Sequence, residues 1–327
     1  MMRAIRLHQV GGPEVLRMEH VAVPKPSVGQ LLVRNTVIGV NYIDTYHRTG
    51  AYPMPLPATI GRDGAGIVEE VGMGETFGFK KGDRVAYCST PSGSYAELST
   101  VNAAQTVLVP PHLDDEHACA AMIQGLTAHA FVKGAYHVKE GSKVLVHAAA
   151  GGLGRLLVQC SKKLGAYVIG TTSTEEKKEI ALAAGCDEVI LYSEKNFVEE
   201  TKRITMGRGV DVVYDSVGKD TLLGSLDCLT RRGCLVACGN ASGKPAPLEL
   251  GLLSAKGSLS VTRPTLNDFI VTRPEFEERV NEVFRWIQED KMKLKVMQPI
   301  FKLEDAQEAH RFIEARKSVG KVLMRLE

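Results

Sequence analysis

Val144-Leu145-Val146-His147-Ala148-Ala149-Ala150-Gly151-Gly152-Leu153-Gly154 runs from a short apolar β-like stretch through a turn of small residues into helix-compatible sequence. Set against the pattern G-x-G-x-x-G, Ala149 holds the first glycine's place, Gly151 the second and Gly154 the third. A pyrophosphate bound at a helix N-terminus needs backbone that comes close and N–H groups aimed at its charge. Gly151 and Gly152 permit that approach, and Gly154 lets the helix lie against its strand. The turn therefore reads as a dinucleotide site.

Further β-like runs follow at Tyr167-Val168-Ile169, Glu188-Val189-Ile190-Leu191, Val210-Asp211-Val212-Val213-Tyr214, Cys234-Leu235-Val236-Ala237 and Ser258-Leu259-Ser260-Val261, with helix-like sequence between them. This rhythm is that of βαβ units, so the fold class is α/β with a Rossmann doubly wound parallel sheet. One intervening helix begins near Thr174-Glu175-Glu176-Lys177, acidic in its first turn, and stops at Gly185. At the end of the second run an NAD-type site would place a carboxylate on the ribose. Here stand Gly170-Thr171-Thr172-Ser173-Thr174 with Lys177 close behind, which suits a 2′-phosphate and favours NADPH.

Up to about residue 110 short apolar runs alternate with Gly and Pro, the texture of strands joined by turns. Pro53, Pro55 and Pro57 mark 50–58 as a surface loop. The ends of the chain are expected to make one mostly β domain, 1–122 and 265–327, interrupted by the nucleotide domain, 123–264. Helices are expected from Glu275 to Glu289 and from Leu303 to Arg316, with a final strand at 321–326. Arg231-Arg232-Gly233 reads as a capped helix C-terminus, and Cys234 and Cys238 as core residues on one strand face.

Forty Lys+Arg against thirty-eight Asp+Glu leave a formal charge of +2, which excludes a global basic field for nucleic acid or anionic lipid. The seven cysteines form no Cys-x-x-Cys pair, and the start lacks a secretory pattern, so a cytoplasmic protein with reduced thiols is expected.

Three more segments stand before the nucleotide motif: Gly39-Val40-Asn41-Tyr42-Ile43-Asp44-Thr45-Tyr46, Ile60-Gly61-Arg62-Asp63-Gly64-Ala65-Gly66-Ile67-Val68 and Gly82-Asp83-Arg84-Val85. Together with Tyr214-Asp215-Ser216-Val217-Gly218 and Val261-Thr262-Arg263-Pro264 they resemble the zinc-independent branch of the medium-chain dehydrogenase/reductase superfamily. The nearer resemblance is to the NADPH-dependent quinone oxidoreductases of the zeta-crystallin group, and it covers essentially the whole chain. It implies a GroES-like catalytic domain beside the Rossmann domain. Zinc-dependent relatives place cysteine where Asn41 stands, histidine where Arg62 stands and cysteine near Gln124; a guanidinium cannot ligate zinc and the amides are poor donors, so no metal is expected.

The resemblance also implies the site. Asn41, Tyr42, Tyr46, Gln124 and Thr127 border the nicotinamide; Gly151, Gly152, Leu153 and Gly154 hold the pyrophosphate. Ser173, Lys177, Tyr192 and Arg316 surround the 2′-phosphate, while Ser216, Cys238, Gly239, Asn240, Pro264, Thr265 and Leu266 line the rest. Asn41, Tyr46 and Tyr52 are the candidates for positioning the acceptor. The expected activity is NADPH:quinone reductase, hydride passing to a quinone or enone in the cleft between the domains. Alternatives are an NADPH-dependent alkenal or enone double-bond reductase, and a non-catalytic nucleotide- or RNA-binding crystallin-like protein. The resemblance further implies a homodimer, with the strand near Val236 or the 258–262 run pairing across a two-fold axis. One departure is His129-Ala130-Phe131, where relatives carry an aromatic near 130.

Overall fold

In a computed structural model, which describes residues 1–88, 93–289, 292–315 and 318–326, the chain divides into two units. One comprises Met1–Leu126, Ile270–Asp290 and Leu294–Glu327, the other Thr127–Phe269 and Lys291–Lys293. The divisions thus fall at Leu126/Thr127 and Phe269/Ile270, a few residues later than the sequence suggests.

In the second unit six parallel strands form one sheet in the spatial order Glu188–Leu191, Tyr167–Thr172, Lys143–Val146, Val210–Asp215, Leu229–Ala237 and Ser260–Thr262. Numbered along the chain this is the doubly wound order 3-2-1-4-5-6. Strands covered on both faces are apolar throughout, and Leu145, Ile169, Ile190, Val213 and Leu235 form the core. The helix Glu175–Ala184 has Thr174 as N-cap and Gly185 in the left-handed conformation at φ 112°, as both sequence signals require.

The other unit is built on a seven-stranded sheet, in which Gln30–Val40 is flanked by Val322–Arg325 and Asp63–Val71 and also pairs with Leu98–Asn102. A smaller sheet joins Leu16–Val21, Met2–Leu7 and Ala58–Thr59. Val322 pairs with Val40, so the last strand closes onto the middle of the N-terminal sheet and makes one unit of the two chain ends. Its core includes Ile5, Leu7, Leu16, Ile38, Val40 and Ile60.

Three local expectations need correction. Arg231-Arg232-Gly233 is no helix end: these residues lie within the strand Leu229–Ala237, where Arg232 takes φ 60° at the irregularity in pairing with Val210–Asp215. Cys238 lies beyond that strand and is half-buried, its N–H donating to the Asp215 carbonyl at 2.7 Å, whereas Cys234 is buried. The N-terminal region also contains a helix, Tyr42–Thr49, which strand periodicity hides.

Candidate functional site

Ligands of doubly wound sheets bind outside the carboxyl ends of the strands, where the order reverses. That point lies beside Lys143–Val146, which has the second strand on one side and Val210–Asp215 on the other. The turn after it is held from both flanks: His147 N–H donates to the Tyr214 carbonyl at 3.0 Å and Ala149 N–H to the Thr171 carbonyl at 3.1 Å. Ala148 takes φ 50°, and the helix Gly152–Lys163 begins with Gly151 as an N-cap that offers no side-chain acceptor. A Cβ on Gly154 would overlap the Ala148 carbonyl. The positive end of a helix without a side-chain cap, approached by bare backbone, suits a pyrophosphate.

A buried relay underlies this turn. Asp215 Oδ2 accepts from Ser225 Oγ at 2.8 Å, so Ser225 in turn accepts from His147 Nε2 at 3.0 Å. His147 Nδ1 is then left to accept from Thr171 Oγ1 at 2.9 Å, which defines its tautomer. Burial lowers the His147 pKa, against the pull of Asp215. Asp215 Oδ1 also accepts from Val217 N–H at 2.9 Å and Gly218 N–H at 3.0 Å. Thus one hydrogen-bonded chain ties the second strand's end, the glycine turn and the Ser216 loop. The motif-based reading missed it because a buried His, Ser and Asp carry no spacing pattern.

The other expected cofactor residues of this unit cluster at the same edge. Ser173 follows the second strand, Lys177 lies in the first turn of the next helix, and Tyr192 N–H donates to the Thr172 carbonyl at 3.1 Å. Arg316 lies outside the described residues. Gly239 packs so closely on Ser216 that a Cβ would overlap its carbonyl. Cys238 and Asn240 flank it, and burial pushes the Cys238 thiol up to about 12, leaving it un-ionised. Arg263, which the motif reading also missed as a site residue, donates to the carbonyls of Ala237 and Gly239, both at 3.0 Å, just before Pro264, Thr265 and Leu266. Thr127 stands on the helix Leu126–Ala130.

In the first unit, Asn41 is the N-cap of Tyr42–Thr49, which carries Tyr42 and Tyr46. Tyr46 and Tyr52 are neighbours with ring centroids 5.2 Å apart, whereas the Tyr42 hydroxyl is spent on the Ile313 carbonyl at 2.8 Å. Gln124 stands in the π-helical turn Ala121–Gly125, where Ile123 N–H approaches Asp63 Oδ2 at 3.4 Å.

Asn41 itself is buried in an ionic cluster. Lys321 Nζ donates to Asn41 Oδ1 and to Asp63 Oδ2, both at 2.6 Å, and Asn41 Nδ2 donates to Asp63 Oδ1 at 2.8 Å. Both side chains of the ion pair have 0% exposure. Burial opposes the ammonium, yet the Asp63 carboxylate outweighs it and holds Lys321 above the ordinary lysine range. Arg48 can only donate, so His310 Nδ1 accepts from it at 3.1 Å; Nε2–H then meets the Tyr95 hydroxyl at 3.0 Å, which donates to Asp44 Oδ2 at 3.2 Å. Burial, reinforced by Asp63, raises the Asp44 pKa to about 7, and burial, reinforced by Arg48, lowers that of His310 to about 3. Among the described residues no group of three His, Cys, Asp or Glu is placed to hold a metal, and no helix is long and apolar enough to cross a membrane.

A doubly wound nucleotide unit together in one chain with a β-rich unit built from both chain ends defines a medium-chain dehydrogenase/reductase. Residues 152–289 match the zinc-binding dehydrogenase family and residues 27–111 the alcohol dehydrogenase GroES-like domain. The chain is 43% identical over 326 residues to quinone oxidoreductase 1 of Escherichia coli (strain K12), covering 99% of each, and 42% identical over 332 residues to a 2-haloacrylate reductase of Burkholderia sp, again covering 99% of each. It matches the crystal structure of Escherichia coli quinone oxidoreductase complexed with NADPH at TM-score 0.96 and 43% identity, over 99% of this chain and 100% of that one. The chain belongs to the quinone oxidoreductase family of that superfamily.

Proposed function

We propose that this protein is an NADPH-dependent quinone reductase that works without a metal. The observation that carries the reading is the glycine cradle at the strand-order reversal, in a chain akin over its whole length to quinone oxidoreductases. Bound NADPH supplies a hydride from its nicotinamide. The protein's share is to bind and orient. Gly151, Gly152, Leu153 and Gly154 hold the pyrophosphate; Ser173, Lys177, Tyr192 and Arg316 take the 2′-phosphate; Ser216, Cys238, Gly239, Asn240, Pro264, Thr265 and Leu266 line the remainder. Asn41, Tyr42, Tyr46, Gln124 and Thr127 border the nicotinamide, with Asn41, Tyr46 and Tyr52 positioning the acceptor through amide and phenol hydrogen bonds. The hydride would carry two electrons and one proton, and solvent would add a second proton, so that the quinone leaves as hydroquinone and the nucleotide as NADP+. The amides of Asn41 and Gln124 and the guanidinium of Arg62 support chemistry without zinc.

The kinship with a 2-haloacrylate reductase favours a second acceptor class, the activated double bond of a conjugated carbonyl. Seven free cysteines, six of them buried, support a reducing cytoplasmic setting. A homodimer fits the outermost position of Ser260–Thr262 in its sheet, a strand edge open to a second copy. The test is NADPH oxidation across a panel of quinones and enones. Turnover with quinones supports the reading, and no turnover with any acceptor refutes it.

A further inference from the structure

We propose that Asp63 and Lys321 are positioning residues, a buried ion pair that sets the orientation of the Asn41 amide so that one Nδ2–H is kept for the bound nicotinamide or the acceptor oxygen. The inference rests on the reading that Asn41 borders the nicotinamide.

An asparagine amide has two nearly isosteric ends, and a neutral pocket would let it sit either way round. Here the choice is forced by chemistry. Lys321 Nζ has only hydrogens to offer and lies 2.6 Å from Oδ1; Asp63 Oδ1 can only accept and lies 2.8 Å from Nδ2. Reversing the amide would set ammonium against NH2 and carboxylate against oxygen. The pair is also locked to itself, Lys321 Nζ to Asp63 Oδ2 at 2.6 Å, with neither side chain exposed. Below it, Asn41 N–H donates to Asp44 Oδ2 at 2.8 Å, anchoring the backbone of the same residue. Nδ2 donates to Asp63 alone among the described residues, so its second hydrogen remains for a ligand. The surroundings leave the cluster no slack: a Cβ on Gly39 would overlap Asp63 Oδ1 and crowd Lys321. A fixed internal cation and anion thus direct a neutral donor.

The test uses the full-length protein labelled with 15N-asparagine, the double variant Asp63→Asn/Lys321→Gln, and the single variant Asp63→Glu. Steady-state kinetics with 1,4-benzoquinone are read beside NADPH affinity and the Asn41 Nδ2H2 resonances. The wild-type amide pair is expected to be resolved and to shift on adding NADPH. In the folded double variant kcat falls at least tenfold, KM for the quinone and the affinity for NADPH stay within twofold, and the amide signals no longer respond. A folded double variant with kcat within twofold of wild type overturns the proposal. Where the double variant does not fold, Asp63→Glu decides: it keeps both charges but displaces the carboxylate, and a tenfold lower kcat at unchanged KM supports the proposal while wild-type kcat overturns it. If the wild-type protein reduces no acceptor at all, the functional reading fails separately. The amide signals then decide alone, and no response of Asn41 to NADPH overturns the positioning role.

Discussion

Lys321 Nζ donates to Asn41 Oδ1 at 2.6 Å across 280 positions of sequence. The bond exists because Val322 pairs with Val40, which brings the start of the last strand beside the end of a central one. A charge so deeply buried is tolerated only while its partner is present.

Removal of one partner is therefore expected to cost more than removal of both. Lys321→Met leaves the Asp63 carboxylate buried and unpaired, at about 3–5 kcal/mol. Adding Asp63→Leu is expected to recover part of that loss. Urea unfolding of the two single variants and the double variant measures the coupling.

Gly154→Ala forces the turn away from the Ala148 carbonyl and is expected to weaken NADPH binding roughly tenfold or more, about 1.4 kcal/mol for each factor of ten. Gly251 is the control: on the helix Leu250–Ala255 an added Cβ meets nothing within 4 Å, and Gly251→Ala is expected to stabilise by about 0.5–1 kcal/mol without touching nucleotide affinity. Fluorescence titration and thermal unfolding separate the two effects.

Lys177→Ala combined with Arg316→Ala is expected to weaken NADPH far more than NADH, since charge-assisted hydrogen bonds to phosphate are worth about 1.5–3 kcal/mol each. Equal losses for the two nucleotides would refute the assignment of the 2′-phosphate. The ratio of kcat/KM values is the measurement.

Asp44 and His310 impose opposite pH dependences on stability. The folded His310 pKa of about 3 lies below its unfolded value, so the unfolded state takes up the proton first as pH falls below about 6.5, and stability declines toward pH 3. The folded Asp44 pKa of about 7 lies above its unfolded value, so stability declines as pH rises from about 4 to 7. Each contributes up to about 1.4 kcal/mol per pH unit within its window. Asp44→Asn is expected to gain stability relative to wild type between pH 4 and 7. His310→Gln loses stability at neutral pH but is less sensitive to acid. Denaturant midpoints recorded from pH 4 to 8 test both signs.

Legibility in the sequence followed the range of the interactions. The helix Glu175–Ala184 carries its N-cap, acidic first turn and terminal glycine within a few residues, and its boundaries could be read directly. The helix expected over Glu275–Glu289 spans Arg273–Gln288, its start set two residues earlier by the Thr272–Glu275 capping box. The helix Tyr42–Thr49 escaped notice among strands because Asn41 and Asp44 act as a local cap inside β-rich sequence. Arg231-Arg232-Gly233 looked like a helix end because its composition is right for one. Parallel pairing with Val210–Asp215 overrode that local preference.

Of the proposed nucleotide site, the glycine turn and its flanking strands were readable from sequence, since close approach of backbone to a phosphate demands particular residues at particular spacing. The relay Asp215–Ser225–His147–Thr171 and the cluster of Asn41, Asp63 and Lys321 were not. Each joins groups from separate strands and helices, whose partners are chosen by sheet order and register rather than by neighbours in the chain. The sequence by itself determined the doubly wound class, the glycine turn after its first strand and the presence of Asn41, Arg62 and Gln124 where the family resemblance puts zinc ligands in other members. Tertiary structure alone decided which buried charges meet, because burial makes an unpaired charge costly and only the folded sheet brings its partner within hydrogen-bond reach.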